Sequence, residues 1–168
     1  MANPFGLEPG STPPAGMATY HLVLHSVPKP HPGFKTYMGS WRPDHGLVQV
    51  SASSDQFTGD PSAASARKLY DQVKRQLTQR YGEPQSNEAV TDEIWADERE
   101  FCSSLGNGER DHACVWTKDD HQLDDNLNQI FLMVNSEDSY ETSSVSIMYE
   151  FPGYDEVTSG DEYGLDSL

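Results

Sequence analysis

The amino-acid sequence predicts an α+β fold, a single two-layer domain with one long amphipathic helix packed on an antiparallel sheet of about five to six strands. Segments of alternating polarity flank one longer segment with helical periodicity, and polar turns join the last three strand segments. We place the domain at residues 19–151, after a Pro- and Gly-rich leader at 1–18 and before an acidic tail at 152–168. The leader is expected to be extended, with little backbone hydrogen bonding, and held to the domain by Phe5 and Leu7.

Three strands are predicted before the helix, because the segments Tyr20–Val27, Phe34–Trp41 and Leu47–Ser53 alternate between apolar and polar residues. Between the first two, the segment Pro28–Phe34 reads PKPHPGF. Each proline favours extended geometry in the residue before it, so this segment predicts a polyproline-like crossing.

The predicted helix spans Pro61–Tyr81. Asp60 is a suitable N-cap, and Gly82 followed by Pro84 ends the helix. Its apolar stripe, which we expect to be buried, includes Leu69, Val73 and Leu77. The basic residues on its other side that we expect to pair with acidic residues are Arg67, Lys74 and Arg80.

After the helix, the sequence predicts an antiparallel meander of three strands, at His112–Thr117, Leu127–Asn135 and Ser143–Phe151. The segment Asp92–Leu105 before the meander is ambiguous. Its i, i+4 pair of apolar residues near the end and the glycine at position 106 favour a short helix there.

The charge is divided unevenly along the chain, whose net charge is −16. Residues 1–82 hold 8 Lys and Arg against 5 Asp and Glu, whereas residues 83–168 hold 3 against 22. The acidic half would repel nucleic acid and anionic membranes, and it would attract a protein with a basic surface. Solubility alone could explain the excess of acidic residues, but a net charge of magnitude about 2–8 is already enough to keep a small domain soluble.

The sequence contains no catalytic, cofactor or metal motif that would assign a chemistry, so we expect no enzyme activity, no cofactor and no metal. The histidines lack zinc-site spacing, and the acidic turn Lys118–Asn126 lacks the glycine and glutamate of a calcium loop. Cys102 and Cys114 are either buried thiols or, in an oxidising compartment, a disulfide. A cysteine nucleophile, with His112 close in sequence, is the less favoured interpretation.

No apolar stretch reaches the roughly 18 residues of a membrane helix, and no signal peptide is visible at the start. We therefore expect a cytoplasmic protein. The periplasm is the alternative if a signal peptide preceded this chain, and the oligomeric state is left open.

Several short motifs occur in a fixed order, namely NPFG at Asn3–Gly6, VPKPHPGFKTY at Val27–Tyr37, RYGEP at Arg80–Pro84, Ile94-Trp95, and MYEF at Met148–Phe151. This order resembles a family of small bacterial α+β proteins without an assigned function, encoded near toxin or secretion-effector genes. The resemblance implies a shared single domain and a role like that of an immunity protein, and it supplies no catalytic residues. The sequence STPPAG stands where the family pattern has a short helix.

These observations predict a non-enzymatic acidic binding protein, most specifically a bacterial immunity protein that neutralises a cognate toxin. The alternatives are an acidic nucleic-acid mimic that inhibits a DNA-binding protein, and an enzyme with an unrecognised site. Trp95, which lies among acids, would supply apolar contact area if exposed, and the Pro-rich crossing His25–Phe34 is the alternative surface. The predicted partner-binding residues are Asp92, Glu93, Trp95, Asp97, Glu98, Asp119, Asp120, Asp124 and Asp125.

Overall fold

One antiparallel sheet of seven strands forms the framework of this α+β protein, with the strand order β1-β2-β3-β7-β6-β5-β4. The computed structural model describes residues 1–14, 21–137 and 140–154. The strands are β1 (His21–Leu24), β2 (Thr36–Arg42), β3 (Gly46–Ser53), β4 (Gln85–Asn87), β5 (Ala113–Thr117), β6 (Gln129–Asn135) and β7 (Ser144–Glu150). The predicted meander is confirmed, because β6 pairs with both β5 and β7.

The sheet is larger than the five to six strands that the sequence predicts. The additional strand is β4, a run of three exposed polar residues that pairs with β5 at the edge of the sheet. An edge strand with no buried face carries no alternation of apolar and polar residues, so the pattern could not indicate it. Tyr20, where the first strand was predicted to begin, lies outside the described residues.

Two α-helices, rather than one long helix, accompany the sheet: α1 (Ala64–Tyr81) and α2 (Phe101–Gly106). The predicted start of α1 at Pro61 is wrong by three residues, because Ala63 has a left-handed φ of 52°. Asp60 still initiates the helix, since its carboxylate accepts hydrogen bonds from the backbone N–H groups of Ser62 (3.0 Å) and Ala64 (2.7 Å). The short helix that the sequence favoured before Gly106 is confirmed as α2.

Helix α1 buries its apolar side against β6 and β7. Of the three stripe residues predicted to be buried, Val73 is buried, while Leu69 and Leu77 are only partly buried at the margin of the core. The fully covered helix positions are Ala66 and Tyr70, with Tyr81 nearly so. Among the described residues, no helix is long and apolar enough to cross a membrane.

The N-terminal segment differs most from expectation, because residues 2–11 are tied to the domain by backbone hydrogen bonds. Ala2 exchanges two hydrogen bonds with the Asn126 side chain. Gly10 N–H donates to the Leu47 carbonyl and Leu47 N–H donates to the Ser11 carbonyl, both at 2.9 Å. Gly46 permits this pairing, since its φ is 70° and a Cβ there would collide with the backbone of residue 10. The expected role of Phe5 as an anchor is confirmed by its contacts with three aromatic rings.

Candidate functional site

The acidic segment at residues 92–100 is built from two short 3₁₀ turns, Glu93–Trp95 and Glu98–Glu100. Asp92 caps the first turn by accepting a hydrogen bond from the Ile94 N–H (3.1 Å), and Asp97 caps the second by accepting one from the Arg99 N–H (2.9 Å). Two of the predicted partner-binding acids therefore also hold the local backbone. Removing their charge would alter the shape of the segment as well as its potential.

The apolar residue that projects from this segment is Ile94, with 72% of its surface exposed. Trp95, the predicted anchor, is only half-buried, and its carbonyl accepts a hydrogen bond from the Arg110 guanidinium (2.6 Å). The arginine fixes the backbone at Trp95, which leaves the preceding side chain pointing outward. Sequence reasoning missed Ile94 because the tryptophan beside it has the higher prior for an interface anchor.

Arginines neutralise part of the negative charge of this acidic segment. The Arg99 side chain donates a hydrogen bond from Nη2 to Asp97 Oδ2 (2.6 Å), and this hydrogen bond lowers the Asp97 pKa to about 2. Glu98 pairs with Arg67 at 3.5 Å. Glu93 and Glu100 form no ion pair with any other described residue, and both are exposed. Asp92 likewise forms no ion pair within the described residues, and Glu100 still interacts electrostatically with Arg99. The acids of the segment without an ion pair are therefore Asp92, Glu93 and Glu100.

The second group of predicted acids lies in the loop between β5 and β6. Asp120 accepts hydrogen bonds from Gln85 (2.7 Å) and Thr117 (3.0 Å), so it fastens this loop to the edge strand β4. Asp124 pairs with Arg80 at 2.6 Å. Asp119 and Asp125 are exposed and, within the described part of the chain, carry no ion pair.

The structure does not bring the two acidic groups together. The first contacts α1 through Arg67, and the second contacts it through Arg80. Thirteen residues of helix separate these arginines, a distance of about 20 Å at 1.5 Å per residue. The predicted pairing of Arg67, Lys74 and Arg80 with acids is confirmed, with Glu88 as the partner of Lys74 at 2.5 Å.

A polar cluster between α1, β4 and β5 contains the cysteine and histidine considered for catalysis. The Tyr70 hydroxyl donates a hydrogen bond to Glu88 Oε1 (2.9 Å), and the His112 ring packs on the Tyr70 ring with centroids 4.6 Å apart. Burial raises the pKa of the Cys114 thiol to about 11, which disfavours the thiolate that a cysteine nucleophile requires. Burial also lowers the pKa of His112, whose ring contacts the Phe101 ring as well as the Tyr70 ring.

Neither cysteine is in a disulfide, and both are buried. No group of three or more His, Cys, Asp or Glu side chains in the described ranges is arranged to hold a metal ion.

The Pro-rich crossing, the alternative surface, borders a shallow cleft of about 430 Å³. His25, His31 and Lys35 stand around its rim. The crossing is held in place by hydrogen bonds, since Gly33 N–H donates to His31 Nδ1 (3.0 Å) and His31 N–H donates to the Tyr37 hydroxyl (3.0 Å). Lys35 is the only Asp, Glu, Lys or Arg in its lining, so this cleft lacks the negative charge that the acidic segment offers a basic partner.

No family model, curated protein or solved structure matches this chain. The resemblance to a family of small bacterial proteins therefore stays a prediction.

Proposed function

We propose that this protein is a non-enzymatic binding protein that docks a basic surface of another protein onto the segment 92–100. The observation that carries the proposal is the exposure of Ile94 in a segment where Asp92, Glu93 and Glu100 form no ion pair with any described residue. An apolar side chain that is desolvated on binding supplies affinity, and surrounding charge supplies steering and register. The partner class is a protein with a cationic patch around a small apolar pocket.

The more specific form of this proposal is a bacterial immunity protein, acting in the cytoplasm, whose partner is a toxin effector with a basic active-site cleft. The net charge of −16 supports this form, because toxins that act on nucleic acids carry positive potential. Nucleic-acid mimicry is less well supported. It requires a continuous row of carboxylates, whereas these acids form two groups about 20 Å apart, and arginines neutralise Asp97 and Asp124.

Photo-crosslinking tests where the partner docks. We would place p-benzoyl-phenylalanine at position 94 in the first acidic segment, and at position 119 in the second as the matched control. Irradiation in an extract of the source cells, followed by mass spectrometry, should yield one basic protein from position 94 and little of it from position 119. Equal capture from both positions, or capture from position 119 alone, would contradict the placement at residues 92–100.

Charge removal on the purified complex then separates docking from long-range attraction. Glu93→Gln with Glu100→Gln removes two charges from the first segment, and Asp119→Asn with Asp125→Asn removes two from the second. None of these four residues forms an ion pair within the described part of the chain, so the melting temperature should stay nearly unchanged. The first pair should slow association several-fold, and the second pair should change it much less.

A further inference from the structure

The face of the sheet opposite α1 carries no helix of the described chain. Side chains alternate along β5, β6 and β7, so that every second residue faces the core, all of them buried except the partly buried Tyr149. The N-terminal segment lies on the same side as the helices, because Phe5 contacts Tyr37 and Tyr149 of the core. We call the other side, formed by the remaining strand residues, the open face.

Strand pairing aligns one row of the open face across all seven strands. Its members, from β1 to β4, are Val23, Met38, Ser51, Met148, Phe131, Val115 and Gln85. The row on one side of it consists of His21, Ser40, Gln49, Glu150, Gln129 and Thr117. The row on the other side consists of Thr36, Ser53, Ser146, Met133, Ala113 and Asn87. The central row is thus mainly apolar, and at one end of it Val23 is 53% and Met38 is 39% exposed.

The three rows of the open face are nearly free of charge. Glu150 is their one carboxylate, and they contain no lysine or arginine, although the chain holds 27 acidic and 11 basic residues. Depletion of charge, with methionine and phenylalanine at the centre, is the composition of the core of a protein interface. A basic partner would find little attraction here, whereas a second copy of the face would bring only one carboxylate per copy, that of Glu150, to the interface.

Polar side chains on the open face are already hydrogen-bonded to one another. The Ser40 hydroxyl lies 2.8 Å from His21 Nδ1 and donates to Gln49 Oε1 (3.2 Å), while Gln49 Nε2 donates to Met148 Sδ (2.9 Å). Burying polar groups that keep such partners costs less than burying groups that lose water without replacement. When the open face is covered, these polar atoms therefore keep their hydrogen-bond partners.

We propose that a second copy of this chain covers the open face, forming a homodimer whose two-fold axis runs along β7, between the two sheets. Strand β7 is the central strand of the seven. Rotation about it brings Phe131 over Ser51 of the other copy and Met38 over Val115. Phe131 and Met38 then each meet a smaller side chain, whereas an axis along the row would place Phe131 on Phe131. On the axis itself Met148 meets Met148, and Glu150, the last residue of β7, meets its counterpart at the margin of the face.

The dimensions of the open face suit a dimer. Nineteen positions, each about 4.8 Å by 6.8 Å, give roughly 600 Å² per copy. That value lies at the lower end of the roughly 600–1,000 Å² per partner of specific interfaces. Edge-to-edge association is less favoured, because the edge strands β1 and β4 have four and three residues.

Light scattering during gel filtration tests the proposal. From micromolar to millimolar concentration, the wild type should reach twice the chain mass of 18.7 kDa. Met148→Glu places two carboxylates face to face at the axis and should weaken association by about 100-fold or more. Ile94→Glu, on the acidic segment, should leave the dimer intact while abolishing partner binding, so the two proposals fail separately. A wild type that stays monomeric would overturn the dimer, and this includes a monomer whose open face is covered by another segment of its own chain. A Met148→Glu variant that still forms a dimer would overturn it as well.

Spin labels test the position of the axis. Cys102 and Cys114 are buried, so labels would attach selectively at Met148→Cys or Val23→Cys. Pulsed electron resonance should give a distance of about 10–20 Å between the two copies at position 148, and roughly 30 Å or more at position 23, which lies three strands from the axis. Short distances at both positions would overturn an axis along β7.

Discussion

Replacing Phe5 with alanine tests whether the N-terminal segment belongs to the folded domain. The Phe5 ring lies edge-on to three aromatic rings, with centroid distances of 4.9 Å to Tyr37, 5.9 Å to Tyr149 and 6.0 Å to Phe34. Partial burial of the ring contributes about 2 kcal/mol and the aromatic pairs contribute about 1 kcal/mol, so the variant should lose about 3 kcal/mol. Alanine gains nothing in return, because its Cβ keeps the cost of the left-handed φ of 55°.

Urea denaturation followed by tryptophan fluorescence measures this loss. With an m-value of about 2 kcal/mol/M, the midpoint for Phe5→Ala should fall by about 1.5 M at an unchanged slope. Thr12→Ala is the matched control, because Thr12 is an exposed residue of the same segment. If the two variants shifted the midpoint equally, the N-terminal segment would not be packed on the domain and this reasoning would be refuted.

Three further predictions concern the core. Burial lowers the pKa of His112, so the unfolded chain binds its proton more tightly and the free energy of unfolding should fall as pH drops below about 6.5. The fall ends once His112 is protonated in the folded state as well. His112→Gln should remove this part of the pH dependence of the urea midpoint, and an unchanged pH dependence would contradict its assignment to His112. Ellman's reagent should detect no reactive thiol in the native protein and two after denaturation, because Cys102 and Cys114 are buried; a fast native reaction would contradict that burial. Leu77→Asp places a charge against the core and should lower the melting temperature strongly, although partial exposure lets the domain remain folded at low temperature; a wild-type melting curve would show that α1 is rotated.

The sequence predicted the fold class because periodicity reports burial on one side. The strands β5, β6 and β7 alternate visibly, and α1 has a clear start signal at Asp60 and a clear end at Gly82. Strand β4 carries no such signal, because its three residues are exposed and polar and its position depends on pairing with β5. Likewise, composition could not reveal the docking of the leader, which depends on the close approach of residues 10 and 11 to Leu47.

The candidate site was predictable in composition but not in geometry. Sequence reasoning located the acids, yet whether an acid is free or neutralised depends on which base the fold places beside it. Asp97 and Asp124 pair with arginines, whereas no arginine of the described residues pairs with Glu93. The outward direction of Ile94 depends on Arg110, which binds the Trp95 carbonyl from 15 residues away.

The most direct test of the proposed function is the salt dependence of association with the partner identified through position 94. Stopped-flow rates for the wild type should fall steeply as ionic strength rises, because surface charges are screened beyond about 8–10 Å at physiological salt. Glu93→Gln with Glu100→Gln should associate several-fold more slowly at low salt and show a flatter dependence, while Asp119→Asn with Asp125→Asn should follow the wild type closely. Identical slowing by both pairs would mean that only net charge matters, and no slowing by either would mean that the acidic segment is not the interface. Either result would contradict docking at residues 92–100.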